Sequence, residues 1–316
     1  MQDTTQHLRY IMQHFDDPVD IKRPVSITRQ HDLGMIRFEA MASPCEILVD
    51  CDDDNTLKQL ADIAAKETWR IEQKFSRYRA DGIIPAINSS HGKAITVDAE
   101  TAMLIDFAFD CYRISDGLFD ISSGVLRRAF TFNGGSRLPA VRTVNALLPL
   151  VGLNKVDWQN PLIRLRPGME IDLGGIGKEY AVDRVMQLLA ETAGLPLLVN
   201  FGGDIAVSQP RRNGEAWKVG IEACQRPESA QGLVAIRSGG IATSGDSRRF
   251  ILANGKRYSH ILNPKTGWPV EHSPHAVTVL SDSCTQAGIL STLAMLHGKQ
   301  AEQFLQNEQV QYWIQR

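Results

Sequence analysis

The sequence has no excess charge of either sign and no long apolar run. Its 34 lysines and arginines nearly balance 36 aspartates and glutamates, which gives a formal net charge of −2. The absence of a basic stripe excludes the usual electrostatic surface of a nucleic-acid-binding protein. No stretch is long enough to span a bilayer, and residues 1–20 lack the apolar segment of a signal peptide. We expect no nucleic-acid partner, no stable membrane insertion, and a cytoplasmic location, or a periplasmic one if an export signal was removed.

Cysteine is also scarce, and its spacing indicates no metal site. Five cysteines, an odd number, are scattered without a CxxC motif or a Cys/His cluster: Cys45, Cys51, Cys111, Cys224 and Cys284. Neither zinc nor a disulfide framework is indicated, so we predict buried free thiols.

The pattern of apolar residues predicts an α+β protein. At 316 residues and 43% hydrophobic content, the chain can bury a large core. Helical spacing predicts helices over Thr56–Phe75, over Asp98–Ser115 with Asp98 as N-cap, and over Cys284–His297. A helix-rich first half and a strand-rich second half predict two intimate lobes within residues 35–316. Residues 1–34 are expected to be a mobile N-terminal extension.

The most informative stretch is Ile171–Val185, with the sequence IDLGGIGKEYAVDRV. A strand end over Ile171–Leu173 is predicted to enter a glycine-rich turn, and Lys178 to open a helix that stops at Gly194. Free N–H groups at a helix start, the helix dipole and a lysine together suit a phosphate or pyrophosphate. The stretch is neither a Walker loop nor a GxGxxG motif, and taken alone it is slightly better explained as a tight strand-to-helix turn. The lack of strand–GxGxxG–helix argues against a nicotinamide oxidoreductase.

Further candidates lie at the ends of predicted elements. Met41 is at a bend between two alternating runs, and Tyr78 lies just beyond the first long helix. Gly202 and Gly203 follow the predicted strand Leu197–Phe201, where they would allow a ligand to approach closely. His260 is predicted to lie on a strand. Each has a structural alternative, since bend residues, aromatics and strand histidines usually belong to the core.

Separated stretches in a fixed order, covering about residues 35–300, resemble the FAD:protein FMN transferases, also called the flavin transferase, ApbE or thiamine-biosynthesis lipoprotein family. The matching segments are FEAMASPCEI (Phe38–Ile47), FSRYRADG (Phe75–Gly82), FDISSGVL (Phe119–Leu126), IDLGGIGKEYAVD (Ile171–Asp183) with VNFGGD (Val199–Asp204), and IATSGDSRRF with YSHILNPKTG. Any one of these is weak, but the set in order is specific.

The resemblance implies FAD in a cleft between the lobes, Mg²⁺ near the pyrophosphate, and transfer of FMN to a threonine of an acceptor protein with release of AMP. It implies catalytic roles for His260 and Lys178. The positions that it places at the cofactor are Met41, Tyr78, Asp120, Gly174, Lys178, Tyr180, Asp183, Gly202, Gly203, Asp204, Ser244, Gly245 and Leu262.

One position departs from the family pattern. The closing helix of the family reads A-D-x-x-[ST]-T, with Asp and Thr on the metal, but here Gly288 follows Ala287. The metal positions thus become Gly177, through its carbonyl, Gly288, Ser291 and Thr292. Because Mg²⁺ favours carboxylates, we expect a weakened site, and Gly288→Asp is expected to restore it. An FAD-binding protein without turnover, and a hydrolase that converts FAD to FMN and AMP, remain as alternatives.

Overall fold

A computed structural model describes residues 23–30, 32–223, 226–247 and 249–316. Eight antiparallel strands form its main sheet, in the order β1-β2-β3-β7-β8-β11-β14-β15. Their bounds are β1 Ser26–Gln30, β2 Leu33–Ala40, β3 Ser43–Val49, β7 Leu197–Phe201, β8 Asp204–Val207, β11 Gly239–Gly245, β14 Ala276–Ser281 and β15 Gln311–Gln315. The described part of the predicted N-terminal extension therefore already contributes β1 and the start of β2 to the sheet.

Seven α-helices are seen in the described chain. They are α1 Asp54–Phe75, α2 Ile83–Asn88, α3 Ala99–Ile114, α4 Val141–Leu147, α5 Gly177–Ala193, α6 Cys284–Leu296 and α7 Ala301–Asn307. Short 3₁₀ helices cover Ile121–Arg128, Leu148–Leu150, Leu153–Lys155 and Gly298–Gln300. Helices α1, α5 and α6 pack side by side on one face of the main sheet, with α5 against β7 and β8 and α6 against β11 and β14.

The ends of the helices follow from local chemistry. The side chain of Asp98 accepts a hydrogen bond from the Thr101 amide at 3.0 Å, which caps α3 as predicted. Gly194 ends α5 with a φ of +60°, a conformation that glycine adopts readily. The long helices predicted from apolar periodicity are confirmed within two residues at each end.

The other face of the main sheet is covered by a hairpin. It consists of β9 Trp217–Ala223 and β10 Arg226–Ile236. Because strand residues alternate between faces, Leu198 and Ile205 pack with Trp217 and Val219 of this hairpin, whereas Leu197 and Val199 face the helices. Both faces of the central strands are therefore buried. Two smaller sheets complete the fold, formed by β4 Ile95–Thr96, β5 Asp157–Gln159 and β6 Leu162–Arg164, and by β12 Phe250–Ala253 and β13 Lys256–Ser259.

The α+β class predicted from the sequence is confirmed, but the strand predicted over Ile171–Leu173 is wrong. The side-chain amide of Asn88 accepts from the Ile171 N–H at 2.8 Å and donates to its carbonyl at 2.9 Å. A side chain thus takes the place of a neighbouring strand. Four of the five cysteines are free and buried, and Cys224 lies outside the described residues. Within the described chain, no helix has both the length and the hydrophobicity needed to cross a membrane.

Candidate active site

Two hairpin turns lie next to each other at one end of the main sheet. The β2–β3 turn contains Met41 and Ala42, and the β7–β8 turn contains Gly202 and Gly203; all four residues have positive φ. The Gly202 amide donates to the Pro44 carbonyl at 3.0 Å, which joins the two turns. A Cβ on Gly202 would lie only 2.8 Å from Oγ of Ser43, so this close approach requires glycine. The bend at Met41 predicted from the sequence is confirmed.

The glycine-rich turn before α5 is closed by its own hydrogen bonds. Asp172 accepts from the Gly174 amide at 3.0 Å, and the Leu173 carbonyl accepts from the amides of Ile176 and Gly177. These three amides are therefore already satisfied. A tight turn describes this part of the chain better than an open row of phosphate-binding amides does.

Arg77 connects that turn to Tyr78. Its guanidinium forms an ion pair with Asp172 at 2.6 Å, donates to the Tyr78 hydroxyl at 2.8 Å and lies 4.9 Å from the centre of the Tyr78 ring. Tyr78 itself is 77% exposed. An aromatic ring is thus presented to solvent beside the glycine turn, by an arginine that the sequence analysis did not single out.

Lys178 and Asp204 form an ion pair close to the two hairpin turns, in which Asp204 is buried and the Lys178 side chain is 30% exposed. Their Nζ and Oδ2 atoms are 2.8 Å apart, and Nζ is 3.9 Å from the position of a Cβ on Gly202. Burial raises the pKa of Asp204, an effect that Lys178 only partly offsets. Burial opposes the charge of Lys178, but the Asp204 carboxylate outweighs it and raises the pKa of the lysine. Lys178 is therefore a fixed cation at this end of the sheet.

Glu179 is buried beside this pair and was missed by the sequence analysis. A Cβ on Gly288 would lie 2.6 Å from Cγ of Glu179 and 3.2 Å from its Oε1, so the glutamate fills the space above Gly288. Burial, together with the charge of Asp204, raises the pKa of Glu179 to about 8. Its Oε2 is buried and has no hydrogen-bond partner among the described residues. The only sequence signal was a carboxylate directly after Lys178 in the first turn of α5.

Three hydroxyls converge where β11 meets α6. The Ser244 hydroxyl is 2.9 Å from both the Ser291 and the Thr292 hydroxyls, and Ser291 also donates to the Gly288 carbonyl at 3.0 Å. Ser291 and Thr292 are three and four residues after Gly288, so they share its helix face. The predicted metal positions 288, 291 and 292 therefore lie together, with Glu179 above them.

The donor set around Gly288 suits a hard cation. No cluster of three or more His, Cys, Asp or Glu side chains able to hold a metal is found in the described part of the chain. The Glu179 carboxylate and the hydroxyls of Ser291 and Thr292 are nevertheless oxygen donors, the type of ligand that Mg²⁺ takes in proteins. A carboxylate oxygen without a hydrogen bond is the observation that such an ion would explain. A carboxylate nevertheless lies against this face, because Glu179 reaches it from α5. The weakened metal site expected from the sequence stays a prediction.

Three other predicted cofactor-binding side chains already have partners within the protein. Asp183 caps α6 by accepting from the Cys284 and Thr285 amides at 2.9 and 2.8 Å. Asp120 accepts from the Ser122 amide and hydroxyl at 2.8 and 2.6 Å, and burial raises its pKa. The Tyr180 hydroxyl donates to Glu100 at 2.7 Å. Their contact with a cofactor stays a prediction.

His260 belongs to a second group of residues. It directly follows β13 and does not lie on the strand, which corrects the prediction. Its Nδ1 is buried without a hydrogen-bond partner among the described residues, and burial and the charge of Arg249 lower its pKa. The imidazole is therefore neutral at pH 7. Leu262 packs nearby with Trp268 and Phe130. Gly245 ends β11, where a Cβ would lie 2.8 Å from the His275 carbonyl.

Comparison with known proteins identifies the family. The ApbE family model matches residues 41–314. The FAD:protein FMN transferase of Vibrio cholerae is 29% identical over 254 residues, which cover 78% of this chain and 75% of the relative. The Escherichia coli K12 protein of the same name is 30% identical, over 72% of this chain and 68% of its own length. The crystal structure of the ApbE protein from Thermotoga maritima superimposes with a TM-score of 0.81 at 29% identity, covering 89% of this chain and 94% of that structure. The chain belongs to the ApbE family.

Proposed function

We propose that the chain is an FAD:protein FMN transferase that moves FMN from FAD to a threonine hydroxyl of an acceptor protein and releases AMP. The observation that carries the proposal is the meeting of the Gly202–Gly203 turn, the β2–β3 turn and the Lys178 ammonium at one end of the sheet. Membership of the ApbE family, whose relatives carry this activity in their names, supports it.

In this reaction the threonine oxygen attacks the FMN-side phosphorus of FAD. A new O–P bond forms, the P–O bond to AMP breaks, and the hydroxyl proton must be accepted by a base. Such a displacement depends mainly on positioning and on neutralising charge. AMP leaves with the electron pair of the broken bond.

The fixed cation Lys178 is assigned to the pyrophosphate. Its partner Asp204 holds the ammonium at the turn, where Gly203 leaves open space because no atom lies within 4 Å of its Cβ position. The exposed ring of Tyr78 is suited to cover a flat aromatic ligand. These residues would bind and orient the dinucleotide.

His260 is assigned as the base that accepts the threonine proton. Its pKa is lowered, so the ring is neutral and able to take a proton at pH 7. A bound Mg²⁺ would neutralise charge on the pyrophosphate. The Gly177 carbonyl and the hydroxyls of Ser291 and Thr292 are among the groups that would hold it.

The experiment is mass spectrometry of a threonine-containing acceptor peptide incubated with the protein, FAD and Mg²⁺. Attachment of FMN to the peptide, with AMP released, is the expected result. Release of free FMN and AMP without peptide modification would instead identify a hydrolase. Bound FAD without either product would identify a binding protein.

Lys178→Ala is expected to weaken FAD binding at least 10-fold, because a cation beside the pyrophosphate is lost. Lys58→Ala, which removes an exposed lysine from α1, is the matched control and should bind FAD normally. Because Lys178→Ala leaves Asp204 buried without its partner, the double variant Lys178→Met, Asp204→Asn is measured as well. Unchanged FAD affinity in both variants would remove Lys178 from the site.

A further inference from the structure

Glu179 is a buried carboxylate that the fold does not satisfy. The residue is only 9% exposed, and its Oε2 has no hydrogen-bond partner among the described residues. Buried polar atoms are almost always hydrogen-bonded, and an uncompensated buried charge is costly. A carboxylic acid form would not remove the difficulty, because its proton would also need an acceptor. The arrangement therefore lacks a positively charged partner.

The side chain lies directly above Gly288. A Cβ at that position would be 2.6 Å from Cγ and 3.1 Å from Cδ of Glu179. Cγ is not the free end of the side chain, so Glu179 could not make room by moving its carboxylate alone. Only glycine at position 288 allows the glutamate to lie against this face of α6.

That face of α6 carries ordered oxygen atoms. The hydroxyls of Ser291 and Thr292 follow Gly288 at helical spacing, and both are within 2.9 Å of the Ser244 hydroxyl. Ser244 thus orients both hydroxyls from β11, as outer groups commonly do for metal ligands.

The charges around Glu179 also favour a cation. The carboxylates of Asp204 and Asp183 and the ammonium of Lys178 all lie close enough to Glu179 to interact with it electrostatically. Three carboxylates thus face one ammonium. Asp204 is paired with Lys178, and Asp183 caps α6 through backbone amides. Among these three carboxylates, Glu179 is therefore the one with an oxygen available to coordinate a cation.

We propose that Glu179 supplies the carboxylate ligand of a divalent cation from helix α5, in place of a side chain at position 288. The remaining ligands are the hydroxyls of Ser291 and Thr292 and the Gly177 carbonyl. This inference rests on the proposed function, because that ion is the one expected beside the FAD pyrophosphate. The sequence led us to expect a weakened metal site without a carboxylate, whereas the proposed site has a carboxylate from Glu179.

The test is binding of Mn²⁺ alone, used as a probe for Mg²⁺ and measured by equilibrium dialysis and by the Mn²⁺ electron paramagnetic resonance signal, without FAD or acceptor. The natural protein is expected to bind one Mn²⁺, and Glu179→Gln to raise the Kd at least 10-fold. Glu191→Gln, on the exposed side of the same helix, is the matched control and should bind as the natural protein does. Equal Mn²⁺ affinity of Glu179→Gln and the natural protein, or no binding by the natural protein up to millimolar Mn²⁺, would overturn the proposal.

A second variant moves the carboxylate back to α6. Glu179→Ala combined with Gly288→Asp removes the clash at Cγ and is expected to restore the Kd to within about 3-fold of the natural value. Gly288→Asp alone places a new side chain against Glu179, so it is expected to be less stable and to bind Mn²⁺ no more tightly. Tighter binding by that single variant would contradict the assignment of Glu179.

These results are independent of the flavin reaction. Glu179-dependent Mn²⁺ binding together with no FMN transfer would contradict the proposed function and leave the metal ligand assigned. FMN transfer with the same Mg²⁺ dependence in Glu179→Gln would support the function and contradict the ligand.

Discussion

Two glutamates that lie close together in the fold, Glu100 and Glu179, differ in their hydrogen-bond partners and in the direction in which their pKa is shifted. Glu100 on α3 accepts from Arg70 at 2.8 and 2.7 Å, from Lys74 at 2.7 Å and from Tyr180 at 2.7 Å. These partners outweigh burial and lower the pKa of Glu100 to about 2. Glu179, next to Tyr180 in the chain, has a buried oxygen without a partner, and its pKa is raised to about 8.

The difference separates a structural carboxylate from one available to a ligand. The chain itself supplies two cations and a hydroxyl to Glu100, so this side chain holds α1, α3 and α5 together. Around Glu179 the nearby cation, Lys178, is already paired with Asp204. A carboxylate surrounded by the chain's own donors contributes to stability, whereas one left incomplete has capacity for an external cation.

The largest change in the free energy of unfolding is expected from substitution of Glu100. Glu100→Gln should lower the free energy of unfolding by about 3 kcal/mol, because it weakens four hydrogen bonds to a charged carboxylate and leaves Arg70 and Lys74 with only Glu67 and Asp98 as carboxylate partners. Urea denaturation measures this loss. Glu46→Gln, which breaks the more exposed pair with Arg37, is the control and should cost less than about 1 kcal/mol. Equal losses in the two variants would contradict the structural role of Glu100.

The same residue predicts how stability responds to acid. The folded pKa of Glu100, about 2, is below the ordinary value of 4.5, so its contribution is fully present above pH 4.5 and is lost as pH falls toward 2. The loss should amount to about 2 kcal/mol after allowance for partial exposure to solvent. Unfolding measured between pH 5 and 2 should be less pH-dependent in Glu100→Gln by that amount. Parallel curves for the natural protein and the variant would show that Glu100 is not the group responsible.

A smaller effect of opposite sign is expected at Glu179. In the presence of a chelator, Glu179→Gln should raise the free energy of unfolding at pH 7 by about 1 kcal/mol, because the raised pKa of Glu179 requires the carboxylate to bind a proton on folding, whereas an amide is neutral in both states. Added Mn²⁺ should then stabilise the natural protein more than the variant, since a ligand that binds only the folded state shifts unfolding. Differential scanning calorimetry with and without Mn²⁺ measures both. A loss of stability as large as that of Glu100→Gln would mean that Glu179 has an internal partner.

Local sequence signals predicted the helices and several turns. Asp98 caps α3, Gly194 ends α5, and the strand Leu197–Phe201 has the predicted bounds, because each depends on residues close in the chain. The false strand over Ile171–Leu173 had the apolar pattern of a strand, but its hydrogen-bond partner is a side chain from α2. No local pattern contains that information.

The sequence predicted which residues lie at the candidate site, but it did not predict which carboxylate is available to bind a metal ion. Lys178, Gly202 and Asp204 were found by motif, and the structure brings them together. Glu179 was missed because its significance depends on Gly288, which lies on another helix. In the sequence, Gly288 indicated that a metal ligand had been lost, and Glu179 looked like an ordinary helix residue. The candidate role of Glu179 becomes visible only from the contact between the two residues in the structure.

The contact between Glu179 and Gly288 also restricts how such a site can change over generations. The space holds one carboxylate-bearing side chain, from α5 or from α6, but not both. Gaining a side chain at 288 first produces a collision, and losing Glu179 first leaves no carboxylate. The two positions are therefore energetically coupled although they lie on different helices, and the effects of substitutions at 179 and 288 are not expected to add.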